Sequence, residues 1–308
     1  MLDKSGRKPG TVAAKSMTKV APKPSSNSTR PRPPILRALG KQDPPAEIQI
    51  DGTTHRLIEL LKHDSWAATA LYASRRGIVV CKFNRIQPIL FVPMGWLGRY
   101  LANKEARLLK KFANLKTIPP FRGPICLNGK EVRNAVAHDF VPGHPLQEKE
   151  WVNDDFFPIL AQTLTSIHES GVAYVDLHKR ENIIVGDDNR PYLVDFQVCF
   201  ELANSWPRRN FFTRWILKLL QQSDNYHLQK HIARIRPDVC GSTIEVVRLQ
   251  PPWWIRIHRM IGVPLRTMRR KLLVLLGIRK GRGRVHSEQF IEDGLRPVGD
   301  SSRDRQVA

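Results

Sequence analysis

Long apolar runs are absent from this chain of 308 residues. No stretch approaches the ~20 consecutive apolar residues that a membrane-spanning helix needs. No apolar core follows the start, as it does in a secretory signal peptide. We therefore predict an intracellular, cytoplasmic protein. The acid-poor, Ser-containing start would serve as a transit peptide only in a eukaryotic source.

Cysteine is also scarce. The four cysteines, Cys81, Cys126, Cys199 and Cys240, are far apart, and none shows C-x-x-C spacing. Zinc sites and disulfide frameworks depend on such clustering. We predict reduced, mostly buried thiols and no zinc site.

Acidic residues are scarce at two places in a chain whose net charge is +22. Residues 1–45 hold ten Lys or Arg against two Asp, with many Pro and Ser, so we predict a disordered basic tail. Residues 246–287 hold eleven Lys or Arg and no acid. The region between these segments is nearly balanced, which favours a folded domain over residues 50–245. Residues 288–308 are predicted to be a flexible tail.

The basic segment 246–287 mixes its charges with apolar and aromatic residues, including Trp253 and Trp254. Such a pattern is typical of a helix lying in the interface of an anionic membrane. An equally weighted alternative is that its apolar residues complete the core of the folded domain. Nucleic-acid binding ranks third, because few aromatic residues are available for stacking beyond the Trp pair.

Two carboxylates and one carboxamide occur at a spacing that suits magnesium. Asp176 and Asn182 are followed by a predicted hairpin, whose second strand leads directly into Asp195. Magnesium takes oxygen ligands and shares them with substrate phosphates. The alternative is a plain hairpin that carries surface carboxylates.

This pattern resembles the catalytic loop of the protein-kinase superfamily, H-R-D-x-x-x-x-N followed by D-F-G. The resemblance implies that Asp176 accepts or orients the proton of an attacking hydroxyl. It implies that Asn182 holds one magnesium and that Asp195 bridges the metal to the nucleotide phosphates. Tyr174 and Val175 replace His and Arg, the loop is one residue longer, and the third motif reads D-F-Q. Without that arginine, activation by a phosphorylated loop is not expected.

The resemblance implies an α+β, two-lobed protein-kinase-like fold that binds ATP and Mg²⁺. A small β-rich N-lobe with one helix would span about 50–142, and a larger helical C-lobe about 143–245. Lys82 lies on a predicted strand from Gly77 to Phe83, and Glu105 on an amphipathic helix from Tyr100 to Phe112. In kinases such a lysine contacts the phosphates, and such a glutamate pairs with it.

Residues Asp139, Phe140 and Val141 follow a further predicted strand and are expected to form the connector whose backbone binds adenine. The glycine-rich phosphate loop of kinases has no counterpart, because no glycine occurs between Gly52 and Gly77. Glycines let a backbone approach phosphate closely. The loop would instead be built around Ser65 to Thr69.

The residues after D-F-Q indicate the substrate class. No A-P-E-like sequence occurs there. The segment 224–230 (D-N-Y-H-L-Q-K), the W-I-L-K-L-L helix before it and the arginine-rich apolar ending together look similar to bacterial lipopolysaccharide-core (Kdo/heptose) kinases. That resemblance implies a lipid-linked sugar acceptor, with the enzyme peripheral at the inner membrane. Asp-Leu-His at 176–178 is also similar to small-molecule phosphotransferases. The alternative function is a catalytically weak pseudokinase or adaptor that binds nucleotide or an acidic partner.

Overall fold

The computed structural model describes residues 33–89, 91–148, 150–203 and 210–240. The basic segment 246–287, the tail 288–308 and residues 1–32 of the predicted N-terminal tail lie outside the described residues. None of the described helices is long and apolar enough to cross a membrane.

The N-terminal part is an antiparallel sheet of seven strands. In chain order the strands are Glu47–Ile50 (β1), Thr53–His63 (β2), Ala67–Ser74 (β3), Gly77–Asn84 (β4), Ile125–Leu127 (β5), Lys130–Glu131 (β6) and Ala135–Asp139 (β7). Their spatial order is β6-β5-β1-β2-β3-β4-β7. Small residues of the middle strands, among them Ala68 and Ala70, are fully buried within an apolar cluster of this sheet.

One long helix, Gly95–Lys111 (α1), packs against β4 and β7. Its buried residues recur at helical spacing, so Ala102, Glu105, Leu108 and Leu109 share one face. Gly98 belongs to the same side. A Cβ atom at Gly98 would lie 2.3 Å from the carbonyl oxygen of Arg85, so the helix backbone approaches the end of β4 closely.

The C-terminal part is built from helices and short strands. The helices are Phe156–Glu169 (α2), Phe211–Ile235 (α3) and Pro237–Cys240 (α4), and a short 3-10 helix spans Arg180–Asn182. The strands are Gly143–Pro145 (β8), Val172–Ala173 (β9), Ile183–Gly186 (β10), Pro191–Leu193 (β11) and Phe200–Glu201 (β12). A second apolar cluster joins α1, α2 and the segment around β10 and β11.

The architecture confirms the predicted α+β fold, with a sheet and one helix in the N-terminal part and a mainly helical C-terminal part. One boundary differs from the sequence prediction. Ala38 and Leu39, inside the predicted 1–45 tail, are buried, and the Ala38 amide donates to the Asp64 carbonyl at 2.7 Å. Packing therefore begins before residue 45, because these two apolar residues cover the sheet next to the β2–β3 turn.

Candidate active site

Lys82 lies between two carboxylates. Its Nζ atom is 2.7 Å from Oδ1 of Asp195 and 3.5 Å from Oε2 of Glu105. On β4 it faces Thr69 of β3 and Val136 of β7, so it sits inside the sheet rather than at an edge. The structure thus brings together three residues that are separated by 113 positions in sequence.

Burial and the neighbouring charges shift the pKa values of Lys82, Glu105 and Asp195 in opposite directions. Burial disfavours the charged form of Lys82, but the carboxylates of Asp195 and Glu105 outweigh it and raise the pKa of this lysine. Burial raises the pKa of Glu105, whose side chain is only 1% exposed. For Asp195, the charge of Lys82 outweighs burial and lowers the pKa. The resulting picture is a cationic lysine held against an anionic Asp195.

Asn182 and Asp195 lie at the same end of a hairpin. Strands β10 and β11 pair with Ile183 opposite Leu193, as the sequence predicts, and the Val194 amide donates to the Asn182 carbonyl at 3.1 Å. Asp195 follows directly and adopts a φ of 63°, which is uncommon for a residue with a side chain. The turn out of β11 therefore aims this carboxylate away from the strand and toward Lys82.

Asp176 is close to Asn182 and almost fully buried. The Asn182 Nδ2 atom lies 3.3 Å from both the carbonyl oxygen and Oδ2 of Asp176. Asp176 and Asn182 are therefore in direct contact, and Asn182 is tied through the Val194 amide to the segment that carries Asp195. Carboxylate and carboxamide oxygens are hard donors of the kind that magnesium prefers. Among the described residues, no three His, Cys, Asp or Glu side chains cluster as a metal site.

Lys179 is a further charged residue of this site that the sequence reasoning did not single out. Its Nζ atom lies 2.7 Å from Oδ2 of Asp176, and His178 Nδ1 lies 3.4 Å from Oδ1 of the same carboxylate. Burial opposes the charge of Lys179, but the hydrogen bond and charge of Asp176 outweigh it and raise the pKa of the lysine. Lys179 also contributes to lowering the pKa of Asp195. Its place between Asp176 and Asn182 in sequence is the signal that could have identified it.

The backbone before Asp176 is fixed by a buried carboxylate. Asp224 of α3 is fully buried and accepts hydrogen bonds from the amides of Tyr174 and Val175, each at 2.7 Å. His168 Nε2 lies 3.1 Å from Oδ2 of the same carboxylate. Val175 has a φ of 71°, an unfavourable backbone conformation for a β-branched residue. Asp224 therefore holds a strained turn that leads into Asp176.

Two more side chains brace the same loop. His231 of α3 donates from Nε2 to the Leu177 carbonyl at 2.7 Å. Tyr174 donates its hydroxyl to the Val194 carbonyl and packs edge-on against Phe196. The loop that carries Asp176 is consequently tied to α3 on one side and to the Asp195 segment on the other.

Gln197 replaces the glycine that usually follows the D-F pair. Its side-chain Nε2 donates to Oδ1 of Asn84, the last residue of β4, and its side chain also hydrogen-bonds Glu105. A glycine at this position would make neither contact. Gln197 therefore links the Asp195 segment to both elements that hold the Lys82–Glu105 pair.

The turn between β2 and β3 differs from the expectation. Ala67, Ala68 and Thr69 were predicted to form part of a phosphate loop, but they are buried residues of β3. The small alanine side chains pack inside the sheet, so only the turn remains as a loop. Oδ1 of Asp64 accepts from the amides of Trp66 at 2.6 Å and Ala67 at 2.9 Å, which closes the turn without glycine.

The predicted connector follows β7. The Asp139 amide donates to the Pro120 carbonyl at 3.0 Å, and the Phe140 amide donates to the Ile78 carbonyl at 3.2 Å. The Asp139 carboxylate pairs with Arg122. These two amides are engaged within the protein, so neither can donate to a ligand at this segment.

No protein-family model matches the chain, and no curated protein matches it. Among solved structures, it is similar to the Rio2 kinase-ADP/Mg²⁺-phosphoaspartate complex from Chaetomium thermophilum, with 15% identity and a TM-score of 0.43. The match covers 58% of this chain and 55% of that one. A second Rio2 kinase structure from the same organism matches with 16% identity, a TM-score of 0.41 and coverage of 55% and 54%. The chain thus spans about half the length of these kinases.

Proposed function

We propose that the protein is an ATP- and Mg²⁺-dependent phosphotransferase that acts on a hydroxyl acceptor. The observation that carries this proposal is the position of Lys82 between Glu105 and Asp195, next to a buried Asp176 and Asn182. A lysine so placed can exchange one carboxylate for the phosphates of a nucleotide. The carboxylate it releases can then hold a metal.

Each residue has a distinct part in this proposal. Lys82 contacts the nucleotide phosphates, and Glu105 keeps its head group in place. Asn182 and Asp195 would hold magnesium, which supplies positive charge to the phosphoryl oxygens. The backbone of the connector Asp139, Phe140 and Val141 contacts the adenine edge, and an N–H donor to adenine would come from Val141, because the Asp139 and Phe140 amides are occupied.

Asp176 and Lys179 act at the transferred group. The acceptor oxygen attacks the γ-phosphorus, the bond to the β–γ bridging oxygen breaks, and Asp176 takes the hydroxyl proton. Lys179, 2.7 Å from Asp176, stabilises the negative charge of the phosphoryl oxygens. Positioning and electrostatics supply most of the rate enhancement in such reactions.

The acceptor we propose is a lipid-linked sugar at the cytoplasmic face of the inner membrane, as in lipopolysaccharide-core kinases. The resemblance in sequence supports this acceptor, and so does the basic segment 246–287, which lies outside the described residues. The division into an N-lobe that ends at about residue 142 and a C-lobe over about 143–245 belongs to the same proposal, with packing of the N-lobe beginning before residue 45.

A catalytically weak module that binds nucleotide is the second candidate. It is favoured by the β2–β3 turn, in which Asp64 places a carboxylate where kinases place glycine amides. A carboxylate near the phosphates would repel them, and would weaken nucleotide binding or slow turnover.

Thermal unfolding with ATP, with and without magnesium, tests the nucleotide site. Saturation at a hundredfold excess over the dissociation constant stabilises the fold by about 2.7 kcal/mol. We expect this stabilisation in the unmodified protein, a loss of the magnesium-dependent part in Asp195→Ala, and weaker binding in Lys82→Ala. No change of midpoint for the unmodified protein would count against both candidates. ATP hydrolysis measured in the same samples separates the enzyme from the weak module.

A further inference from the structure

The loop between β4 and α1 exposes an apolar patch, which we define as Ile86, Ile89, Phe91, Val92 and Trp96. Phe91 is 99% exposed and Trp96 is 56% exposed, and the other three are between 39% and 54% exposed. Residues 86–98 contain no charged residue. A contiguous apolar surface of this kind marks a site of interaction.

Hydrogen bonds fix the backbone of the loop that carries the patch. The buried Arg85 guanidinium donates to the carbonyls of Gln87 at 2.7 Å and Pro88 at 3.0 Å, within the loop itself. Ile89 and Val92 exchange backbone hydrogen bonds at 3.0 and 3.1 Å, so Phe91 lies at the tip of a tight turn. These bonds fix the backbone of the loop, and its apolar side chains are exposed.

Neighbouring segments add to the same surface. Arg85 also donates to the carbonyls of Ser65 at 2.6 Å and Ile35 at 3.1 Å, and its amide donates to the Trp66 carbonyl. Ile35 and Trp66 have exposed side chains as well. The buried Arg85 therefore makes hydrogen bonds to three segments that carry exposed apolar side chains: the patch loop, the segment with Ile35 and the segment with Trp66.

The exposed charges that follow the patch along the chain are basic. Between Arg85 and Lys111 the sequence contains one acidic residue, Glu105, which is buried beside Lys82. Arg107 and Lys111 of α1 pair with Glu201, whereas Arg99, immediately after the apolar run, and Lys110 have no carboxylate partner among the described residues. An apolar tip flanked by Trp, Tyr and basic residues fits the boundary between lipid headgroups and acyl chains.

We propose that the apolar patch inserts into the interface of an anionic lipid bilayer. Phe91 enters the acyl boundary, Trp96 lies at headgroup depth, and Arg99 at the start of α1 faces the anionic headgroups. A second copy fits this surface poorly, because a symmetric contact would bring the two positively charged α1 helices together. The proposal goes beyond the phosphotransferase activity, and it uses residues distinct from the basic segment 246–287.

Matched substitutions on the full chain test the patch by vesicle co-sedimentation. Phe91→Ser is paired with Phe211→Ser, because Phe211 is 82% exposed on α3, and Trp96→Ser is paired with Trp151→Ser, because Trp151 is 76% exposed. With vesicles of phosphatidylcholine and phosphatidylglycerol, we expect Phe91→Ser to lower the partition coefficient about tenfold, Trp96→Ser to lower it less, and both controls to bind unchanged. The MgATP-dependent thermal shift should be equal in all five proteins, which keeps this test separate from that of the nucleotide site.

A depth measurement excludes binding through segment 246–287 alone. The added tryptophan of Phe91→Trp should be quenched by lipids brominated on the acyl chain, whereas that of Phe211→Trp should not. Unchanged partition of Phe91→Ser, or equal quenching at both positions, would overturn the proposal. So would a difference spectrum, Phe91→Trp minus the unmodified protein with its seven tryptophans, that is already blue-shifted without vesicles, since the chain itself would then cover the patch. A dimer in light scattering that Phe91→Ser turns into a monomer, with vesicle binding unaffected, would assign the patch to a second copy.

Discussion

Lys82 and Asp224 are both buried charged residues, one in the N-terminal part of the molecule and one in the C-terminal part, but their partners differ in kind. Lys82 is surrounded by the side-chain carboxylates of Glu105 and Asp195. Asp224 accepts hydrogen bonds from two backbone amides and contacts a histidine.

The difference determines which part of the site can rearrange. Side-chain ion pairs can exchange partners, so Lys82 can leave Asp195 for a phosphate while Asp195 takes a metal. Backbone hydrogen bonds cannot be exchanged without unfolding the loop that carries Asp176. We infer that the nucleotide side of the site is adaptable and that the acceptor side is fixed before substrate arrives.

The largest expected effect is the fall in kcat of Asp176→Asn, which tests whether the two sides of the site can be changed separately. The substitution removes the proposed base on the fixed side while leaving the Lys82 cluster intact. General-base catalysis contributes about 10²–10⁴-fold, so we expect kcat to fall by that factor, with the MgATP thermal shift preserved. Turnover at the unmodified rate would show that Asp176 does not take the proton.

The next largest effect is expected for Asp224→Ala. Two buried amides lose their acceptor, and the strained turn at Val175 loses its support. Removing one partner of a buried charged network costs about 3–5 kcal/mol of unfolding free energy. Urea denaturation measures this loss, with Glu169→Ala, an exposed carboxylate on α2, as a control that should change stability by less than about 0.5 kcal/mol. Equal losses of unfolding free energy for the two substitutions would show that Asp224 does not hold the loop before Asp176 in place.

Acid should destabilise both parts through one buried histidine in each. Burial lowers the pKa of His138 in β7 and of His231 in α3 to about 4, from an ordinary value of 6.5. Above pH 6.5 both histidines are neutral in the folded and unfolded states, so they take no stability from the folded protein. As the pH falls from 6.5 to about 4, the unfolded chain takes up protons that the folded protein excludes, so stability is lost, by roughly 3 kcal/mol per histidine.

The double variant His138→Asn with His231→Gln tests this pH dependence. Each new amide can replace the hydrogen bond of the imidazole without titrating. We expect the curve of unfolding free energy against pH to be flatter below pH 6.5 than in the unmodified protein. A curve with the same slope would mean that other groups cause the acid sensitivity.

A smaller effect is expected for Gln197→Ala, which removes the contacts from Gln197 to Asn84 and Glu105. The loss of these hydrogen bonds should cost about 1 kcal/mol, measured by urea denaturation. The Km for ATP should rise more than kcat falls, since the affected residues lie on the nucleotide side. A fall in kcat at unchanged Km would place Gln197 on the acceptor side instead.

The elements that carry the site follow local patterns, and these were predictable. The strand with Lys82, the helix with Glu105 and the hairpin between Asn182 and Asp195 each depend on apolar periodicity or turn residues within about twenty positions. The helix begins at Gly95, five residues before the predicted start at Tyr100. The prediction missed these residues because the sequence before Tyr100 lacks an obvious start signal.

The supporting contacts could not be predicted in the same way. Asp224 contacts a backbone about fifty positions earlier, and Gln197 contacts Asn84 across 113 positions. Neither pairing leaves a local periodic signal. The β2–β3 turn was misplaced for a related reason: alanines suit both a close backbone approach and a sheet interior, and only the packing of the sheet decides between them.

Gly98 has a consequence for how this protein can vary. A side chain at this position would collide with the carbonyl oxygen of Arg85, whereas Gly95, three residues earlier, has open space around it. In a library of all single substitutions, position 95 should accept many residues, while position 98 should return glycine alone among active variants. Divergent relatives in which α1 packs on β4 should therefore keep Gly98 but not Gly95. Gly98 is consequently a better guide to shared ancestry than the exposed residues around it.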